Sequence, residues 1–260
     1  GRSVRTLSER ALVYLSEGPR QPLDITRDVL GLQRANRAVA ERLVVALLGA
    51  DPRFAFDVEG CWSVVPAPAW RGVPLRDIRF AVVDVETTGM RARHGDRITE
   101  IAVVHVDGGR IQVAFESLVN PGRPIPPRIV SLTGITDALV NGAPPFERIA
   151  DPVLAALAGR VFVAHNARFD WRFVEAEVER ARDAILRPPR LCTVRLTRAL
   201  VPELERRNLD SVIHFFGIET DRRHRAAGDA VATAQVLRRL LQRAETSGIA
   251  TWQELEVMAG

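Results

Sequence analysis

At 260 residues, with 47% hydrophobic and 26% charged side chains, the chain has the make-up of a folded protein of one large or two small domains, which excludes wholesale disorder, a collagen-like repeat and a coiled-coil rod. The longest apolar runs, residues 43–48 and 152–158, fall far short of the ~20 residues of a membrane span, and the amino terminus has no signal-peptide core; a cytoplasmic protein with no membrane contact is expected. All 36 basic residues are Arg, the net charge is 36 − 32 = +4 and the pI is about 10.2, a pattern that fits phosphate recognition but is explained more simply by a GC-rich genome.

In chain order, residues 8–15 fit a short amphipathic helix with Leu7, Ala11 and Leu15 on one face and Ser8 as its N-cap, and a second short helix is expected near 22–30. A third is more clearly marked. Val39, Leu43 and Leu47 recur at four-residue steps, Ala40, Val44 and Leu48 run beside them, and Gly49 with Pro52 supplies a stop. The period then changes: Phe54, Phe56 and Val58 alternate with polar residues up to Gly60, and Trp62 and Val64 alternate after it, which predicts a hairpin. Three helices closed by a hairpin resemble a winged helix-turn-helix, giving an expected small domain over 1–65. Residues 1–75 carry ten Arg against eight acids, less than a strong DNA grip calls for. A DNA polymerase or other protein is as good a partner for this domain as nucleic acid.

Pro66, Pro68, Gly72 and Pro74 crowd a stretch without apolar periodicity, read as a linker over 66–76. Strands are expected at 80–83, 98–106 and 111–118, the last two joined by the turn Asp107-Gly108-Gly109, and three successive strands predict a meander. Beyond Asn120 the pattern is helical with interruptions: 126–132, 137–140 and 146–157, a strand at 160–164, a helix at 167–182, a short strand at 191–194, then helices near 196–200, 209–216 and 226–243. The order predicts an α/β domain over 77–246, a mixed sheet flanked by helices, with 247–260 as a short tail.

Asp84 and Glu86 stand at the tip of the first of these strands. Residues i and i+2 of a strand project from one face, so the two carboxylates converge. The other acid-x-acid pairs, Asp57/Glu59, Glu175/Glu177, Glu203/Glu205, Glu219/Asp221 and Glu254/Glu256, read for the most part as solvated surface. At the end of an apolar strand, two like charges repel and lose hydration unless a cation neutralises them. Thr87-Thr88-Gly89 then turns the chain and offers backbone N–H groups and hydroxyls beside the acids. Spacing alone fits both a metal site and an exposed surface turn. Only Cys61 and Cys192 could supply thiols, and they form no cluster.

The segment Val82-Val83-Asp84-Val85-Glu86-Thr87-Thr88-Gly89 resembles the first motif of the DEDDh, or DnaQ-like, 3′→5′ exonucleases; His165-Asn166-Ala167-Arg168-Phe169-Asp170 resembles the second and His224-Arg225-Ala226-Ala227-Gly228-Asp229-Ala230 the third. The likeness extends over about 78–244, includes a similarity to the proofreading subunit of the bacterial replicative polymerase, and implies a ribonuclease H-like sheet. It also implies that Asp84, Glu86, Asp170 and Asp229 hold two divalent cations, Mg²⁺ or Mn²⁺, that His224 is the general base, and that the substrate is a DNA 3′ end, with single strands preferred. Thr87, Thr88, Gly89 and His165 would lie against the substrate, and Asn166 would hydrogen-bond near it or cap the following helix. Met90 would wedge against the terminal bases or else fill the core, and Phe169 would pack beneath the site. A ribonuclease of the same family is the alternative enzyme. A DNA-binding regulator using the nuclease fold as a scaffold is the alternative of another class, and five intact catalytic positions argue against it.

Overall fold

In the computed structural model, which describes residues 6–49, 51, 53–57, 59–64, 72–182, 186, 188–220 and 224–259, the chain divides into two compact units, Gly1–Arg71 and Gly72–Gly260. In the first unit, helices α1 (Leu7–Leu15), α2 (Pro22–Asp28) and α3 (Arg37–Leu48) precede the short strands β1 (Phe54–Phe56) and β2 (Trp62–Val64). The strands pair antiparallel, Phe56 opposite Trp62, and Arg20 exchanges both backbone hydrogen bonds with Trp62. Ala11, Leu15, Ile25, Val29, Val44, Leu48, Phe54 and Trp62 close a core of their own.

One local expectation is corrected here. Ser8 lies inside the first turn of α1, because the helix already begins at Leu7. On α3 the buried stripe is Ala40, Val44 and Leu48, whereas Val39 is 44% exposed; at 100° per residue, a shift of one position turns the neighbouring row outward. Asn36 caps this helix by accepting from the Val39 N–H. Pro52 and Val58 lie outside the described residues, as does the 66–71 part of the expected linker.

The second unit is built on β3 (Arg79–Thr87), β4 (Ile98–Asp107) and β5 (Arg110–Leu118), the antiparallel meander expected, extended by β6 (Val161–Ala164) and β7 (Arg190–Cys192) running parallel to β3. The order is β5-β4-β3-β6-β7, a mixed five-stranded sheet flanked by helices. Gly108 and Gly109 both have positive φ, 55° and 82°, the requirement of the two-residue turn that joins β4 to β5. The helices are α4 (Pro127–Thr133), α5 (Asp137–Val140), α6 (Phe146–Leu157), α7 (Ala167–Arg182), α8 (Thr193–Leu200), α9 (Leu209–Phe216), α10 (Ala226–Thr246) and α11 (Trp252–Ala259). Helices α6 and α7 pack with Ala81, Val83 and Val85 in the main core, and α10 also packs on β3, β4 and β5. A central strand covered on both faces needs the continuous apolar run that β3 has.

Residues 247–260, expected as a tail, instead contribute α11, whose Trp252 and Leu255 are buried. The Trp252 N–H donates to the Val73 carbonyl and the Leu75 N–H to the Ala250 carbonyl. Residues 72–76 of the expected linker therefore belong to this unit, since Leu75 is buried and its backbone is paired. Among the described residues no helix is long and apolar enough to cross a membrane.

Candidate metal centre

Period-two alternation sends Ala81, Val83 and Val85 toward α6 and α7, so Asp84 and Glu86 project from the opposite face of β3. Asp229, in the first turn of α10, meets them there. One carboxylate oxygen from each of Asp84, Glu86 and Asp229 lies within 4.8 Å of the others. Asp84 and Glu86 are half-buried and Asp229 is 8% exposed. Three carboxylates this close repel one another, and a hard cation with an oxygen preference is what their chemistry fits.

The fourth acid arrives by a gap in the sheet. β6 pairs with β3 only at Phe80, Ala81 and Val82, which leaves the Val85 N–H free of a strand partner on that side. Asp170, from the first turn of α7, accepts it at 3.2 Å. Asp170 is 4% exposed. Burial, with a further push from Glu86, raises its carboxyl to about 8, against hydrogen bonds from its own backbone and Val85 that lower it. Asp170 does not belong to the three-oxygen cluster but joins it through the backbone of the residue between Asp84 and Glu86.

The remaining positions of the second motif divide between support and surface. His165 is held at both ring nitrogens, Nδ1 2.8 Å from Thr193 Oγ1 and Nε2 2.9 Å from the Arg207 carbonyl. The carbonyl can only accept, so Nε2 donates to it. Asn166 is exposed with φ 71°, a left-handed conformation that Asn tolerates, and its carbonyl accepts from the Phe169 N–H. Phe169 packs at the edge of the main core, 5.0 Å from Phe173.

The turn after β3 is held by a residue that the motifs did not single out. The Asp96 carboxylate accepts from the Thr88 hydroxyl, the Arg91 N–H and Arg123. Gly89 lies against the same carboxylate. Thr87 Oγ1 donates to the Gly89 carbonyl at 2.6 Å, and Thr88 exchanges hydrogen bonds with the Arg97 backbone. Arg97 in turn grips the buried Glu177 of α7 through two nitrogens, at 2.7 and 2.9 Å. Of the two alternatives for Met90, the core is excluded: its side chain is 72% exposed beside this clamped turn.

His224 is exposed and has φ 60°, five residues before Asp229. Its neighbour Arg225 reaches across to Glu100 of β4 with Nε and Nη2. Glu100 was missed in the sequence, and Glu177, counted there among pairs read mostly as solvated surface, is 2% exposed; a signal existed, since an acid inside an apolar strand or on a buried helix face needs a partner. Which partner it finds is a long-range matter: 125 residues separate Glu100 from Arg225, and 80 separate Arg97 from Glu177.

The comparisons with known proteins point to one family. The Exonuclease family (RNase_T) matches residues 81–237, a span that holds all four carboxylates and His224. The 3′-5′ exonuclease DinG of Bacillus subtilis is 38% identical over 165 residues, 64% of this chain and 18% of that protein. DNA polymerase III subunit epsilon of Aquifex aeolicus is 36% identical over 168 residues, 65% of this chain and 83% of the relative. Of further curated relatives it matches, the chain spans between 12% and 29% of their length. Exonuclease X, solved in complex with 5′ overhanging duplex DNA, is 29% identical with a TM-score of 0.55, and the match covers 70% of this chain and 99% of that one.

Proposed function

The chain belongs to the Exonuclease family, and from that membership we propose that it is a metal-dependent 3′→5′ exonuclease that shortens DNA from its 3′ end and releases nucleoside 5′-monophosphates. The observation that carries this reading is the convergence of Asp84, Glu86 and Asp229 at one face of β3. Direction is supported by the name of DinG and a DNA substrate by the duplex bound to exonuclease X. Asp84, Glu86, Asp170 and Asp229 hold the metal. Two divalent cations, Mg²⁺ or Mn²⁺, would supply charge stabilisation for the attacking and leaving oxygens of the phosphodiester.

The other roles fall to the chain itself. His224 takes the proton of the attacking water as that oxygen bonds to phosphorus and the bond to the 3′ oxygen of the penultimate nucleotide breaks. Thr87 and Thr88, in the turn clamped by Asp96, face the terminal nucleotide with their backbone, and Met90 lies against its base. Gly89 lets the turn approach Asp96 closely. His165 and Asn166 shape the other wall, and Phe169 packs beneath it. Residues 1–71 contain none of these groups and are assigned recruitment, of DNA or of a protein partner such as a polymerase.

The test uses 5′-labelled single-stranded DNA, duplex DNA and RNA, each with Mg²⁺, Mn²⁺ or EDTA. Stepwise shortening of single-stranded DNA from the 3′ end, stopped by EDTA, is expected, and Asp84→Ala or Asp229→Ala should abolish it in a folded protein. Wild-type-like rates in either variant would remove the assignment of the site. Preference for RNA would move the protein to the ribonuclease reading.

A further inference from the structure

We propose that Glu100 and Arg225 form a positioning pair for His224, an inference that rests on the reading of His224 as the base. Arg225 is the N-cap residue of α10, with φ −134° and ψ 133°, and its own side chain makes no cap. The cap comes from another strand. Glu100 Oε2 accepts from the Ala226 N–H at 2.9 Å, while Arg225 Nε lies 3.0 Å from both carboxylate oxygens and Nη2 binds Oε1. The Arg225 carbonyl accepts from the Asp229 N–H at 3.0 Å. One residue thus fixes the helix start through its backbone and anchors it to β4 through its side chain.

Glu100 stands directly opposite Glu86 in the β3–β4 ladder, and cross-strand partners project from the same face. It is 7% exposed yet does not join the cluster of Asp84, Glu86 and Asp229. Its oxygens are occupied by Arg225 and Ala226, and the guanidinium neutralises a carboxylate that would otherwise repel Glu86. Asp229 has independent support, since Ala226, Ala230, Ala234 and Leu237 bury the inner face of α10. His224 lies before the helix in a left-handed conformation, which non-glycine residues hold only where their surroundings impose it. Arg225, the next residue, is anchored to β4 through Glu100.

The pair is therefore expected to govern the proton-transfer step more than cation binding. In the full chain, Arg225→Ala should lower kcat on a short single-stranded oligonucleotide by ~10–100-fold, the order of effect expected for a misplaced reacting group. KM and the Mn²⁺ concentration for half-maximal activity should change less than ~3-fold, well below that loss. The rising limb of the pH–rate profile should flatten, and amide exchange at Ala226 should accelerate. Arg225→Lys keeps the charge without the planar fork and should fall between the two; it also serves if the Ala variant fails to fold. Glu100→Gln should act in the direction of Arg225→Ala. A folded variant with wild-type kcat, pH profile and exchange at Ala226 would overturn the proposal, as would a loss of Mn²⁺ affinity that accounts for the whole loss of rate. Should the wild-type protein degrade no nucleic acid, the reading of the site fails, and exchange at Ala226 still decides the pairing: acceleration supports it and no change overturns it.

Discussion

A β-carbon at Gly89 would sit 2.3 Å from Asp96 Oδ2 and 2.7 Å from its Cγ, so this glycine is required by close approach. Because Asp96 is itself held by Thr88, Arg91 and Arg123, it cannot swing away without releasing the turn. Gly89→Ala is expected to raise KM for a short single strand by ~10-fold, with a smaller effect on kcat, as substrate positioning is loosened; an unchanged KM would show that the turn yields freely. Asp170 gives a second test at this scale. Its carboxyl is raised from 3.8 to about 8 in the metal-free fold, so below pH 3.8 both folded and unfolded forms hold the proton. Between those values the folded form alone keeps it, and stability is lost as the pH rises through about 8. Asp170→Asn cannot ionise, so in EDTA its Tm should exceed that of the wild type at pH 9, and that advantage should shrink toward pH 4. Added Mg²⁺ should raise the wild-type Tm more than the variant's, because a cation favours the ionised carboxylate. Equal responses to Mg²⁺ would take Asp170 out of the metal site.

Among the elements, the buried charges of β4 and α7 show how the centre is braced. Glu177 is 2% exposed and accepts from Arg97, Arg180 and the Ile98 N–H, binding α7, which carries Asp170, to the start of β4. Removing one partner of a buried pair leaves an uncompensated charge, at about 3–5 kcal/mol. Glu177→Ala should lower unfolding stability by that order in a urea titration, well beyond the ~0.5 kcal/mol of an ordinary surface change. A loss within the surface range would mean that water replaces the carboxylate freely. The element boundaries reflect the same division of labour. Strand β3 was legible through its apolar run at residues 80–83, as a strand covered on both faces requires, and α10 through the helical pattern over residues 226–243. The stripe of α3 that turns inward was not, since two adjacent rows of apolar residues offer the core equivalent choices.

At the level of the whole molecule, the unit Gly72–Gly260 contains every member of the centre. A fragment beginning at Gly72 is expected to fold and to degrade short single strands at near the full-length rate. A fragment beginning at Arg79 drops the buried Leu75 and Ile78 and the pairing of Val73 and Leu75 with Trp252 and Ala250, so its Tm should fall by several degrees, at ~2–4 °C for each kcal/mol lost in a domain of this size. Thermal melts of the two fragments beside oligonucleotide kinetics make the comparison. Inactivity of a folded Gly72 fragment would show that residues 1–71 help to build the site.

The sequence by itself determined the sheet and its flanking helices, the acidic tip of β3 and the segments that bring Asp170, His224 and Asp229, because these follow from local period, strand alternation and contiguous motifs. It also carried the family resemblance, which the match over residues 81–237 bears out at the level of the exonuclease family. Only the tertiary structure decided that Met90 faces outward, that Trp252–Ala259 form a packed helix, that Asp96 clamps the turn and that Glu100 caps α10 at Ala226 while it grips Arg225. These depend on which distant segments meet. A buried carboxylate announces in the sequence that it needs a partner, but the partner's identity is settled only when the chain closes around it.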